Sequence, residues 1–172
     1  MARRHGCAGY SYLGMCTMEI RAAEWSDLGC VVQCEAEAFA LAPRTHDGDV
    51  AKAHTVLAAQ IRAGEIYVVT KSGRVLGYVS FATNCEHLFI GAIAVLPAHQ
   101  RQGVGSCLLA FAELAAVDRE LDFVSLYSDG MIAANTRFYV HRGYRETDRC
   151  DGPGFLRIYY SKDVPPVTAR AA

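Results

Sequence analysis

IGAIAVLPAHQRQGVGSCLL, residues 90–109, is the stretch from which the rest of the chain can be ordered. Its apolar, β-branched start (Ile90, Ile93, Val95) reads as a buried strand. Pro97 ends that strand, because it has no N–H to give to a sheet ladder. Gln100-Arg101-Gln102-Gly103-Val104-Gly105 then leads into Val104, Cys107, Leu108, Phe111, Leu114 and Ala115, which recur at helical spacing. The segment runs strand, glycine loop, helix.

Such a junction suits an anion. The first N–H groups of a helix have no helical partner, and the helix dipole adds partial positive charge. Gly103 and Gly105 leave that backbone open to close approach, and Arg101 adds charge, so a phosphate or pyrophosphate would fit. A helix start that only turns on glycine explains a bare G-x-G equally well. No Gly-Lys-Ser/Thr follows, so this is not a Walker loop. Leu108 stands where the third glycine of a dinucleotide-binding G-x-G-x-x-G would be, so it is not that either.

Working outward, residues 18–22 alternate as a first strand. Ser26 and Asp27 start a helix through Leu28, Val31, Val32, Glu35, Ala38 and Phe39, stopped by Pro43. A second helix is expected over 50–62, ending at Gly64. Strands 66–70 and 75–82 flank the turn Lys71-Ser-Gly-Arg74, and strand 87–96 completes an antiparallel meander. After the glycine-led helix, strand 123–127 should lie parallel to the strand before the loop, because a helix intervenes. A helix over 132–142 closes at Gly143. Strands 144–147 and 155–162 surround the turn Asp151-Gly-Pro-Gly154. The order β-α-α-β-β-β-α-β-α-β-β predicts an α/β (α+β) fold with a mixed, mostly antiparallel sheet of about six to seven strands and four helices.

The pattern Val95-x-Pro97-x-x-Gln100-x-x-Gly103-x-Gly105 resembles the acyl-CoA signature of the GNAT superfamily of N-acyltransferases. A second motif supports this: Asn135-Thr-Arg-Phe-Tyr139-Val-His-Arg-Gly143-Tyr144 is similar to that family's motif of an Asn, an aromatic-Tyr pair and a closing Gly-aromatic pair. The resemblance covers residues 18–162, most strongly 88–144. It implies that loop amides of Gln100, Arg101, Gln102, Gly103, Val104, Gly105 and Ser106 hold the CoA pyrophosphate. It also implies that the backbone of Ile93, Ala94 and Val95 pairs with the pantetheine arm. Asn135 would contact CoA, and Tyr139 would both contact it and protonate the departing thiolate. Asn135 and Tyr139 are four apart, so one helix face carries both.

The attacking amine must lose a proton, since an alkyl amine with a pKa near ~10 is mostly protonated at pH 7. Many members of the family carry a carboxylate in the middle of the strand before the loop; here Gly91 and Ala92 stand there. The base candidates are Glu86 and His87 at the start of that strand, with His87 on Gly91's face by alternation. A solvent-exposed turn explains both equally. Water in space left by Gly91 is the remaining route. Glu35, Glu37, His46 and Asp47 are candidates for selecting a cationic amine. Cys107 lies on the apolar face of its helix, so packing is expected of it rather than nucleophilic attack. A thioester is already activated, and proximity to an amine supplies much of the rate.

The expected activity is acetyl or acyl transfer from acetyl-CoA to the amine of a small molecule. A protein lysine or N-terminus as acceptor, and a non-catalytic acyl-CoA-binding regulatory module, are alternatives that the residues leave open. Dimers are common in the family, so a homodimer is an expectation. The chain of 172 residues suits one domain, with 52% hydrophobic and 20% charged residues and a net charge of −1. That balance gives no case for nucleic acid or an anionic membrane as partner. No apolar run reaches spanning length. The seven cysteines are odd in number and form no C-x-x-C pair, so reduced, mostly buried thiols in a cytoplasmic protein are expected, and no metal site. Residues 1–17 are read as an extension of unknown role, 18–163 as one domain and 164–172 as a flexible tail.

Overall fold

The computed structural model describes residues 18–39, 50–130, 132–152 and 155–165. The expected extension 1–17, Pro43, and nearly all of the tail lie outside them. The elements are β1 (Met18–Ala22), a 3-10 turn (Trp25–Asp27), α1 (Leu28–Ala38), α2 (Val50–Ala63), β2 (Ile66–Lys71), β3 (Arg74–Thr83) and β4 (His87–Val95). A second 3-10 turn (Pro97–His99), α3 (Val104–Asp118), β5 (Phe123–Asp129), α4 (Ala133–Val140), β6 (Arg145–Gly152) and β7 (Phe155–Asp163) follow. Among the described residues this makes one seven-stranded sheet in the order β1-β2-β3-β4-β5-β7-β6. Every neighbour pair is antiparallel except β4 and β5, which run parallel around α3. The expected fold class and element order are met.

Two apolar cores form because each sheet face is covered. Leu28, Val31 and Cys34 of α1 and Leu57, Ala58 and Ile61 of α2 pack on Ile66, Val68, Tyr78 and Ala94. On the other face, Leu108, Leu109, Phe111, Ala112 and Ala115 of α3 pack on Val79, Phe81, Leu88, Ile90, Val124 and Leu126. Full burial of each Leu or Phe contributes about 1.5–3 kcal/mol, so α3 is fixed chiefly by this face. At its end Arg119 donates to the Ala115 carbonyl at 2.8 Å.

Asp27 stands at the N-cap of α1, but its carboxylate is spent elsewhere. It accepts two bonds from the Arg21 guanidinium, at 2.6 and 3.0 Å, and one from the Glu24 N–H at 2.8 Å. That ties β1 to the start of α1. Arg21 holds the buried Asp27 carboxyl below its ordinary pKa, against the cost of burial.

Three expectations need correction. α4 is shorter than 132–142: it stops at Val140, and Gly143 (φ 84°) closes the turn with Tyr144 N–H bonded to Tyr139 O. β6 is longer than 144–147, because its run of charges is exposed along a sheet edge rather than in a turn. The cysteines are not mostly buried. Cys34 is buried and Cys107 half-buried, whereas Cys30, Cys85 and Cys150 are exposed. Cys30 and Cys34 differ by about 40° around a helix, enough to put one at the core and the other at its rim. No described helix is long and apolar enough to cross a membrane.

Candidate active site

A cleft opens where β4 and β5 part. Their pairing runs from His87↔Phe123 to Ile90↔Leu126 and stops there. Residues 92–95 stay paired to β3, and residues 127–129 to β7. The cause lies at Gly91. Phe81 pairs with Ile90 and Ser80 with Ala92, so Gly91 is the extra residue of a β-bulge. A bulge bends its strand and raises the local twist. It also resets the alternation: Leu88 and Ile90 face the α3 core before it, Ile93 and Val95 after it. The β5-facing edge of residues 91–95 is thereby left for an extended ligand to pair with.

The glycine loop closes one end of this cleft. Arg101 (φ 57°) and Gly103 (φ 85°) both take left-handed backbone, which turns successive N–H groups into a concave surface. Gly103 is the N-cap of α3 and offers no side-chain oxygen, so the first-turn amides keep their bonding capacity. Gln100 and Gln102, both exposed, bond back to the backbone. The Gln100 side chain donates to the Val95 carbonyl at 3.1 Å and that of Gln102 to Ala98 at 2.9 Å. The first thus seats the loop on the end of β4. Arg101 is exposed and Ser106 half-buried.

α4 is fastened to this loop. Phe138 lies 3.7 Å from where a Cβ on Gly105 would be, and Val95 3.8 Å from the same point. Arg142 stacks 3.8 Å over the Phe138 ring, donates to the Phe138 carbonyl at 3.0 Å, and donates to the Ser106 hydroxyl. These contacts hold α4, which carries the half-buried Asn135 and Tyr139, against the loop. Tyr139 rests against Tyr144 and Tyr160, with ring centroids 5.9 and 5.6 Å away. Burial, then the neighbouring Tyr160, push its phenol up to about 12, against a lowering by Arg142. It is therefore protonated at neutral pH and able to donate.

The loop, the end of β4 and the helix that carries Asn135 and Tyr139 are thus brought together. His87 is not. It begins β4, before the strands part, about 13 Å of strand ahead of Gly91. Its ring stacks on Phe123 at 4.8 Å, and its Nδ1 has no hydrogen-bond partner. Glu86 is exposed in the turn that Asn84 organises by accepting from the N–H groups of Glu86 and His87. The space expected at Gly91 is narrow, since a Cβ there would meet Ser80 Oγ at 3.1 Å. Glu35 is half-buried; Glu37 is exposed and bonded by Gln33 at 2.7 Å. His46 and Asp47 lie outside the described residues. Cys107 packs against the α3 core. Among the described residues no group of three His, Cys, Asp or Glu could hold a metal ion. Sequence reasoning missed Arg142, Phe138, Ser80 and Tyr78. Only Arg142, basic and just before Gly143, carried a signal.

Comparison with known proteins agrees with this geometry. Residues 62–146 match a family model described as an acetyltransferase (GNAT) domain. No curated protein matches the sequence. The ribosomal-protein-S18-alanine N-acetyltransferase of Escherichia coli superposes with a TM-score of 0.73 at 17% identity, covering 90% of this chain and 99% of that one. YncA of Salmonella typhimurium, solved with its cofactor acetyl-CoA, gives 0.69 at 20%, covering 86% and 94%. The PaiA N-acetyltransferase of Thermoplasma acidophilum, in complex with coenzyme A, gives 0.72 at 16%, covering 85% and 98%. At these identities the shared property is the fold.

Proposed function

We propose that the chain, whose residues 62–146 match an acetyltransferase (GNAT) domain, moves an acetyl group from acetyl-CoA to the primary amine of a small molecule. Transfer is by direct attack within a ternary complex. The observation that carries this is the parting of β4 from β5 onto a loop with unspent amides, with Tyr139 alongside. Two structural neighbours were solved with acetyl-CoA or coenzyme A, which supports the donor.

The pyrophosphate lies on the amides of residues 101–106, with Gln100 holding the loop in register and Arg101 adding charge. The pantetheine arm pairs with the backbone of Ile93, Ala94 and Val95, and Asn135 contacts the donor from α4. Backbone amides beside Val95 polarise the thioester carbonyl. Tyr139 meets the sulfur as the C–S bond breaks. A phenol at about 12 is a weaker acid than an ordinary thiol near ~8.5, so full transfer is uphill by about 5 kcal/mol. Tyr139 therefore acts as hydrogen-bond donor to the developing thiolate, and its proton follows as water restores it. His87 sits too far along β4 to reach the amine.

The working unit is one domain over 18–163, taken as a homodimer in the cytoplasm. Free thiols at Cys30, Cys34, Cys85, Cys107 and Cys150 support that location. A protein N-terminus as acceptor is the second reading, favoured by the likeness to the E. coli ribosomal-protein enzyme. Calorimetry with acetyl-CoA, followed by CoA release with a panel of alkyl amines and N-terminal peptides, tests both. Saturable donor binding and amine-dependent release are expected. A chain that binds no acetyl-CoA overturns the reading.

A further inference from the structure

We infer that the carboxylate of Glu35, held by the buried phenol of Tyr78, receives the ammonium group of the acceptor and takes its proton. This rests on the acetyl-transfer reading above.

Glu35 sits where a carboxylate is costly. Leu28 and Val31 precede it on the stripe that α1 turns to the sheet, and all three lie on one helix face. A charge in such a seam needs a partner. The partner is Tyr78 of β3, fully buried, whose hydroxyl donates to Glu35 Oε2. Burial, then the nearby Glu35 charge, hold the Tyr78 phenol well above its ordinary pKa. The phenol keeps its proton, and Glu35 is the acceptor of the pair. A carboxylate has about four acceptor positions. Oε1 has no hydrogen-bond partner among the described residues.

The place matters as much as the chemistry. Tyr78 is the cross-strand partner of Ala94, and Ser80 that of Ala92. Tyr78, Ala94 and Ala92 share the α1 face of the sheet, and the two alanines lie on the β4 segment whose free edge lines the cleft. That segment has no ionisable side chain from Gly91 to Leu96. Gly91 cannot gain one without displacing Ser80 Oγ. The base that β4 lacks is thus supplied across the sheet face, from α1. Among the described residues, the one hydrogen bond to its carboxylate is that from Tyr78. The Cys34 thiol is pushed up to about 12 by burial, then by Glu35 and Glu37, and stays uncharged. α2 packs with Leu57, Ala58 and Ile61, while its Lys52, His54 and Arg62 are exposed. Arg62 lies over Trp25 at 4.4 Å, and Asp27 of the 3-10 turn is paired with Arg21.

In the step, the ammonium gives one proton to Glu35 and its lone pair forms the C–N bond at the thioester carbonyl. The C–S bond breaks and the thiolate leaves against Tyr139. The second nitrogen proton passes through water to replace the one Tyr139 yields to sulfur. Glu35 returns its proton to solvent.

The test compares wild type with Glu35→Gln, Glu35→Asp and Tyr78→Phe, using the alkyl amine that turns over fastest. Thermal melts and acetyl-CoA calorimetry check that each variant is folded and binds donor. For Glu35→Gln, kcat/KM should fall about 10²-fold at pH 7, and the deficit should shrink to within about threefold at pH 10, where about half of an amine with a pKa of ~10 is already neutral. Glu35→Asp should recover part of the loss. Tyr78→Phe, at a positioning residue, should show a smaller deficit with the same pH trend. A Glu35→Gln deficit that is constant with pH, or no deficit, overturns the role of Glu35 and leaves acetyl transfer standing. A wild type that releases no CoA with any amine overturns both.

Discussion

The guanidinium of Arg142 bridges two elements, donating to the Ser106 hydroxyl on the first turn of α3 while stacked 3.8 Å over Phe138 of α4. The helix that carries Tyr139 is thereby held at a fixed distance from the glycine loop. Arg142→Ala removes a charge-assisted bond and a cation–π contact, together about 2 kcal/mol. KM for acetyl-CoA should rise about tenfold with a smaller change in kcat. Initial rates at varied donor concentration decide it; unchanged rates would show that α4 is held by Phe138 alone.

Tyr139→Phe keeps the ring packed against Tyr144 and Tyr160 and removes only the hydroxyl. Loss of a hydrogen bond to a charged group costs about 1.5–3 kcal/mol, so kcat should fall about 10- to 100-fold with donor affinity intact. A larger fall would mean full proton transfer within the rate-limiting step. Donors with a more acidic thiol should be less sensitive, since their leaving group needs less help.

Gly103 and Gly105 should separate. Gly103 has φ 85° with open space around its Cβ position, so Gly103→Ala is strained by about 1–2 kcal/mol without a clash. Gly103→Asp adds a negative charge at the proposed pyrophosphate position and should cut donor affinity at least tenfold beyond that. At Gly105 a Cβ makes only ordinary contacts, at 3.7 Å or more. Gly105→Ala should therefore melt like wild type while losing donor affinity. Calorimetry paired with thermal melts reads both quantities.

Asp27 gives the fold a defined acid limit. Its folded pKa is depressed by Arg21, so its contribution is present above the unfolded value, about 3.9, and is lost as pH falls through the folded value. Arg21 is about a third exposed, and solvent screening trims the ion pair to about 1 kcal/mol. Asp27→Asn should be less stable by that amount at pH 7, and the gap should close below pH ~4. Urea melts at both pH values measure it.

The strands, the parallel step and the loop could be read from the chain because each rests on local chemistry: Pro97 as a stop, paired glycines, and apolar periods of two or 3.6. Glu35 was visible in the apolar stripe of α1, but nothing local named Tyr78, 43 positions away, as its partner. His87 lies before the point where β4 and β5 part, which the sequence could not show, because alternation fixes sides and is silent about where two strands separate. The bulge at Gly91 depends on how β3 registers against β4, which no single segment contains. β6 was underestimated because charge there protects a sheet edge, a role that resembles a turn in composition.

The short parallel seam between β4 and β5 has a thermodynamic consequence. It is four residue pairs long, and it joins a meander of neighbouring hairpins to a second block, β5-β7-β6, through a helical crossover. In the proposed binding mode an acyl donor laid along the free edge of β4 fills the gap as an extra strand, so the ligand completes the sheet. Because it binds only when both blocks are in place, its free energy adds to the cooperativity between them. Saturating donor should therefore merge the unfolding of the two blocks into one sharper, hotter transition, whereas the empty chain is weakest along the line on which it works.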